Sequence, residues 1–177
     1  VIAPGSLAWQ ALDPDLTAPP VAAALSTWAA EVAVAPIDPD LADTAAFCDR
    51  YGVSLDDSAN CVVIAGRRGS DTSYAACVVL ATTRADVNGA VRRRLGARKA
   101  SFAPMDDAVR LTGMEYGGIT PIGLPADWPV LIDAAVVKRD VVVIGSGLRA
   151  SKIALPADAL ATLPTAEVIE GLAGVVQ

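Results

Sequence analysis

The 177-residue chain has no histidine. That absence removes every Ser-His-Asp and Cys-His nucleophile system from within the chain, because each relies on an imidazole to take up a proton near neutral pH. His-containing zinc sites go with it. Cysteine is scarce: Cys48, Cys61 and Cys77 form no C-x-x-C pair, and their number is odd. Neither a disulfide framework nor a thiolate metal cage is expected. Cys61 and Cys77 lie in apolar runs and read as small buried hydrophobes. Long apolar stretches are missing too, since runs such as Ala75 to Ala81 are far too short to span a bilayer. The opening "VIAPGSLAW" shows no positively charged leader region; with no disulfide framework expected, the default compartment is the cytoplasm. Positive charge is in deficit, with a formal net charge of -6. This argues against broad coating of nucleic acid but allows a local basic patch. Any chemistry must use backbone groups, hydroxyls, carboxylates, Lys or Arg, or borrow a group from the substrate. No metal or other cofactor is expected.

What is present describes a globular chain, 53% hydrophobic and 19% charged, long enough for one domain with a sizeable core. Residues 1–17 read as an N-terminal arm and 18–177 as a single domain. "PPVAAALSTWAAE" (19–31) reads as a helix entered through proline, and "VAVAPI" (32–37) as a short strand. Residues 38–53 read as a helix stopped by Gly52. "CVVIAG" (61–66) and "SYAACVVLATT" (73–83) flank "RRGSD", which predicts an antiparallel hairpin. Val87, Val91 and Leu95 are spaced for one stripe of a helix over 85–97. A strand at 99–103, a short helix at 104–113 and a loop to Trp128 follow. Next come a strand at 129–135, two strands around "GSG" within 139–155, and a last helix at 156–163. Strands with interspersed helices imply an α/β or α+β domain with a mixed sheet.

Four features could carry chemistry. "GGITPIGLP" (117–125) packs three glycines and two prolines into nine residues. Gly117 and Gly118 could present backbone amides to a carbonyl or oxyanion, or the segment could be a long structural turn. "IGSGLR" (144–149) reads either as a hairpin turn or as a pocket mouth formed by Gly145, Ser146 and Gly147. Arg92, Arg93 and Arg94, with Arg98 and Lys99, form either a solvated helix face or a phosphate-binding patch. Asp106 and Asp107 follow Pro104 at a helix start, where capping and dipole complementarity explain them. For Asp56 and Asp57 a loop or helix-start role is preferred over metal binding.

In combination these pieces resemble the YbaK/ProX family, editing domains that deacylate mischarged aminoacyl-tRNA. The resemblance rests on Leu95-Gly96, Arg98-Lys99, Ser101-Phe102-Ala103, Thr112-Gly113, Gly117 to Gly123, and Gly145 to Arg149. It covers roughly residues 74–163, and more loosely from 31. It implies a mixed, partly curled sheet flanked by helices, with a pocket for the aminoacylated 3′ end of tRNA. Gly117 to Pro121 would border the reactive ester. Gly118, Ile119, Thr120, Pro121, Gly145, Ser146 and Gly147 would contact substrate, and Arg92, Arg93, Arg94, Arg98 and Lys99 would contact tRNA. The chemistry would lean on the terminal ribose hydroxyl and backbone groups. An aminoacyl-tRNA synthetase is the further partner implied.

The sequence departs from the family pattern in two places. Asn60 stands where the pattern has a functional lysine. As a catalytic-site candidate beside Gly117, it can donate hydrogen bonds but carries no charge. Either Asn60 or a displaced cation such as Lys152 would then approach the ester. The late turn reads Gly145-Ser146-Gly147, with Ala150 after the arginine. This leaves open a family member that binds an aminoacyl ligand without turning it over.

Overall fold

The computed structural model describes residues 4–175. The chain before residue 18, expected as an arm, contributes strand β1 (Gln10–Ala11), and Leu12 and Leu16 pack against the core. Helix α1 (Pro19–Leu25) is shorter than the expected 19–31. The Ser26 and Thr27 hydroxyls donate to the Ala23 and Ala24 carbonyls at 2.6 and 3.3 Å, which competes with continuation of the helix. Strand β2 (Ala33–Pro36) follows, then a 3-10 turn (Pro39–Leu41) and helix α2 (Thr44–Tyr51). The expected 38–53 helix is thus broken in two. Gly52 ends it at φ +68°, a conformation natural to glycine.

The predicted hairpin is β3 (Ala59–Arg68) with β4 (Asp71–Leu80), paired antiparallel over its length. Strand β5 (Thr83–Ala85) leads into the basic segment. That segment is a π turn (Val87–Val91) followed by one α turn, α3 (Arg92–Arg94), rather than a regular helix. The Asp86 carboxylate accepts from the Gly89 and Ala90 amides at 3.0 and 2.9 Å, and widens the first turn. The expected stripe survives: Val91 is buried, and Val87 and Leu95 pack beside it. Then come β6 (Lys99–Phe102), α4 (Met105–Thr112), the long loop, β7 (Val130–Asp133), α5 (Ala134–Val137), β8 (Val141–Gly145) and β9 (Ser151–Pro156). The last predicted helix is a 3-10 segment (Ala157–Thr162), and β10 (Ala166–Ile169) and β11 (Ala173–Val175) close the described chain.

The strands form mixed, open sheets in the orders β10-β7-β4-β3-β6 and β1-β2-β9-β8, with a small β11-β5 pair. β7 runs parallel to β4 and β10, and the other ladders are antiparallel. Alternation explains the packing. Ala76, Val78 and Leu80 of β4 join Val130 and Ile132 of β7 against Val142, Ile144, Ile153 and Leu155 of the second sheet. Ala75, Cys77 and Val79 face the opposite way, onto Ile64, Val91, Leu131 and Leu172. β4 is covered on both faces, so its sequence is a continuous apolar run. A single parallel bridge, Ser58 to Val143, ties β3 to β8 and links the two sheets. No helix among the described residues is long and apolar enough to cross a membrane.

The glycine loop crosses the β8–β9 connection with no room for side chains. A Cβ on Gly118 would lie 2.6 Å from the Leu148 backbone carbonyl, and one on Gly145 would lie 2.5 Å from the Gly118 oxygen. Gly118→Ala should therefore cost about 1–3 kcal/mol. Gly174→Ala, with nothing within 4 Å, should stay within about 0.5 kcal/mol. Urea unfolding midpoints of the two variants would check this, and equal midpoints would contradict the crossing.

Candidate functional site

A cavity of about 560 Å³ opens along the outer edge of β3. The reason is topological. β4 covers one edge of β3 throughout. On the other edge, β8 bridges the strand at Ser58, just before β3, and the β6 ladder begins at Ile64, with the Ala103 amide donating to the Val63 carbonyl at 2.9 Å. The strands on either side splay apart, and the edge between Ala59 and Val63 lines the gap. In this ladder the backbone N–H and C=O of Cys61 point to the unpaired edge. The cavity thus has a backbone donor and acceptor along its floor.

The remaining walls come from distant parts of the chain. Ala42, Asp43, Thr44 and Ala45 bring the start of α2 to one side. Phe102, Ala103 and Ala108 bring the β6–α4 junction to another. Tyr116, Gly117 and Ile119 come from the glycine loop, and Gly145 and Lys152 from β8 and β9. Phe102 (64% exposed) and Tyr116 (51% exposed) form an open aromatic rim, with Met105 (54%) near Phe102 in sequence.

Of the residues singled out from sequence, Asn60, Gly117, Ile119 and Gly145 meet around this cavity. The Thr44 hydroxyl donates to Asn60 Oδ1 at 2.6 Å, which leaves Asn60 Nδ2 as the donor that side chain can offer. Gly117 adopts φ +90°. A Cβ there would strike Arg149 Nη1, because that guanidinium donates to the Tyr116 and Pro39 carbonyls at 3.2 and 2.9 Å. The Gly118 amide, read as available to an oxyanion, is already bonded to the Glu115 carbonyl at 2.9 Å, and its own carbonyl accepts from Gly147 at 2.7 Å. Only the Gly117 amide of that pair is left uncommitted among the described residues.

The other candidates lie behind the wall. Thr120 is wholly buried, and its hydroxyl has no partner among the described residues. Pro121 is buried, and Gly147 sits at φ +86° against α1, where a Cβ would strike Ala18. Ser146 is fully buried, with its hydroxyl 2.7 Å from Ser151 Oγ and accepting the Leu148 amide at 3.2 Å. Its geometry is that of a loop knot.

The basic residues gather elsewhere. Lys99 pairs with Arg67 at the far end of β3, seven residues and so about 23 Å from Asn60. Arg67, Arg68, Arg93, Arg98 and Lys99 are all exposed there. Arg94 is held by Glu167, with Nε 2.7 Å from Oε1, and Arg92 Nε donates to the Asn88 carbonyl at 2.8 Å. Arg67 and Arg68 were missed from sequence because they read as hairpin-turn residues. Their role in the cluster depends on strand register.

Lys152 is 7% exposed. Its Nζ donates to the Ala42 carbonyl at 3.1 Å and lies 5.0 Å from the Phe47 ring centroid. Burial pushes its pKa below the ordinary lysine value, partly offset by Cys48 and Asp43 nearby. The cavity thiol behaves in the opposite sense: desolvation, with a smaller contribution from Cys77, raises Cys61. Cys77 is pushed up to about 12 by burial. Among the described residues, no group of three or more Cys, Asp or Glu side chains is placed to hold a metal ion.

Comparison with known proteins agrees with this architecture. The family profile described as aminoacyl-tRNA editing domain matches residues 38–163. No curated protein sequence matches the chain. Among solved structures, a proposed trans-editing enzyme for prolyl tRNA synthetase is similar with a TM-score of 0.73 at 21% identity, covering 90% of this chain and 97% of that one. The hypothetical protein APE2540 is similar at 0.67 and 20% identity, covering 78% and 86%. A proposed signal transduction protein from Marinobacter aquaeolei VT8 is similar at 0.58 and 19% identity, covering 87% of this chain and 30% of that one. At these identities the structures establish a shared fold.

Thiolate, not thiol, is the nucleophile, so half-buried Cys61 and buried Cys77, both held as thiols by desolvation, should be inert. Native chain at pH 8 should react with iodoacetamide at least about 100-fold more slowly than urea-unfolded chain, given an ordinary thiol pKa of about 8.5. Mass spectrometry of labelled Cys61 and Cys77 would read this, and free-cysteine rates in the native chain would refute it.

Proposed function

Because the chain belongs to the aminoacyl-tRNA editing domain family, we propose that it hydrolyses the ester of mischarged aminoacyl-tRNA in trans, in the cytoplasm. The observation that carries this reading is the convergence of Asn60, Gly117, Ile119 and Gly145 on one cavity. In this reading the terminal adenosine enters past Phe102 and Tyr116, which offer stacking surfaces to a nucleobase. The aminoacyl group lies along the β3 edge, where Cys61 offers a backbone acceptor to the α-amino group. The Gly117 amide and Asn60 Nδ2 approach the ester from opposite walls. Gly118, Thr120, Pro121, Ser146 and Gly147 support that wall from behind.

Hydrolysis joins water to the ester carbonyl carbon and releases the amino acid and a ribose hydroxyl. With no histidine in the chain, the neighbouring ribose hydroxyl is the proton carrier nearest the reacting atoms. A synthetase that forms the mischarged tRNA would be the upstream partner. The acyl side of the cavity is walled by Ala59, Cys61, Val63, Ala103 and Ala108, so it favours small apolar side chains over charged ones. The exposed basic end, with Arg67, Arg68, Arg93, Arg98 and Lys99, would meet tRNA phosphates. Arg92 and Arg94 flank it.

One observation favours a second reading. Asn60 puts a neutral amide, not a cation, on the β3 edge of the cavity, as suits a domain that binds an aminoacyl end without turnover.

A panel of mischarged tRNAs tests the first reading, and no ester loss above buffer for any amino acid would sink it. Asn60→Lys separates the two readings: new deacylation where the natural chain has none would favour the binding module. Replacing Arg67, Arg93, Arg98 and Lys99 with Ala should weaken tRNA binding and flatten its dependence on log salt concentration, by up to about 0.7–0.9 for each phosphate no longer neutralised. An unchanged salt slope would remove the basic end from the interface.

A further inference from the structure

Lys152 differs from the other two lysines of the chain, Lys99 and Lys138, in being buried. It sits on β9 between β2 and β8, directly opposite Ala35 and Gly145. Opposed residues in an antiparallel ladder share a face, and these two small neighbours leave the lysine stem uncrowded. Its ammonium makes one hydrogen bond, to the Ala42 carbonyl. Among the described residues no carboxylate forms an ion pair with it. A buried charge with two neutral partners, the Ala42 carbonyl and the Phe47 ring face 5.0 Å away, and two unused hydrogens is unfavourable unless something anionic completes it. Lys152 lines the same cavity as Asn60, Gly117 and Gly145. The charged or titratable groups around it are Cys48 on α2, Asp43 before α2, and Arg149 in the β8–β9 connection. Holding the Ala42 carbonyl would need only a neutral donor, which would not carry this desolvation cost.

We propose that the Lys152 ammonium is the cavity's catalytic cation, taking the negative oxygen that forms when water adds to the substrate's ester carbonyl. The inference rests on the editing reading of this cavity. Water oxygen bonds to the carbonyl carbon, and the C=O electron pair moves to oxygen beside Lys152 Nζ. Collapse expels the ribose oxygen, which takes the proton that water loses, so Lys152 neither gains nor loses a proton overall. Its depth suits an oxygen at the reacting carbon better than a backbone phosphate at the rim. Burial lowers its pKa, and an anion at this position would raise it.

The test follows the Lys152 Cε resonance of the natural chain against pH, with and without adenosine 3′-(1-aminoethylphosphonate), whose P–O⁻ mimics the oxyanion. The titration midpoint should lie below the ordinary lysine value and rise by about one unit or more on binding. Lys152→Met, if its melting stays cooperative, should lose about 100-fold or more in kcat with KM little changed, on whichever mischarged tRNA the natural chain deacylates. A midpoint unmoved with phosphonate bound, or natural kcat in Lys152→Met, would overturn the assignment while leaving the editing reading intact. A natural chain that neither binds the phosphonate nor deacylates any tRNA would overturn both. Should Lys152→Met fail to fold, the resonance of the natural chain decides alone.

Discussion

The site depends on one backbone-to-backbone crossing. The glycine loop and the β8–β9 connection meet where Gly118 lies against Leu148 and Gly145 lies against Gly118 and Ile119. Peptide groups close the contact, with Gly147 donating to the Gly118 carbonyl and Glu115 donating to the Gly147 carbonyl. The Arg149 amide adds a bond to Glu115 Oε1 at 2.8 Å. Close approach of this kind requires glycine, because any Cβ would separate the chains and leave buried peptide groups unpaired. Once the loops are locked, Gly117, Ile119 and Gly145 are fixed on one wall and Arg149 is fixed beside them.

The opposite wall arises from an incomplete sheet. β3 has a full partner on one edge and two partial ones on the other, so the edge around Cys61 remains open between the Ser58 bridge and the Val63 carbonyl, which accepts from Ala103. An open strand edge is ordinarily a liability for aggregation. Here it is recessed between α2, α4 and the glycine loop, where a bulky second sheet cannot reach it. The same splay that exposes the edge creates the cavity, so fold and site share one cause.

Charge is arranged economically. The chain is acidic overall, yet several cations without a carboxylate partner among the described residues stand in two groups. One is Lys152 in the cavity wall with Arg149 beside Gly117, and the other is the far end of the β3–β4 hairpin. Arg67 faces Lys99 across the ladder, a like-charge pairing that costs stability. Desolvation holds Cys61 as a thiol within the cavity, so the groups left to act there are amides, hydroxyls, the Asp43 carboxylate and one buried amine.

Much of this was legible in the linear chain, because it follows from local rules. The absence of histidine excluded the common hydrolytic systems outright. Apolar alternation and the Gly69 turn specified the β3–β4 hairpin, and the ordered glycine motifs pointed to the editing family. Other local expectations failed where side chains compete with the backbone: Ser26 and Thr27 end α1 early, and Asp86 widens the turn before α3. Long-range placement was not legible. Nothing in the order of residues says that the Gly118 amide is spent on Glu115 or that Ser146 ties a knot behind the wall. Nor does it say that Arg67 joins the basic end. Lys152 shows the division most plainly. Its identity and strand were readable, but its burial in the cavity with Asn60 depends on Gly145, Ala35 and Phe47 meeting around it. Ala35 and Phe47 come from a distant part of the chain, before the hairpin is made. Composition and periodicity determine which elements form, whereas the solvation of a charge is set by neighbours that only the folded chain brings together.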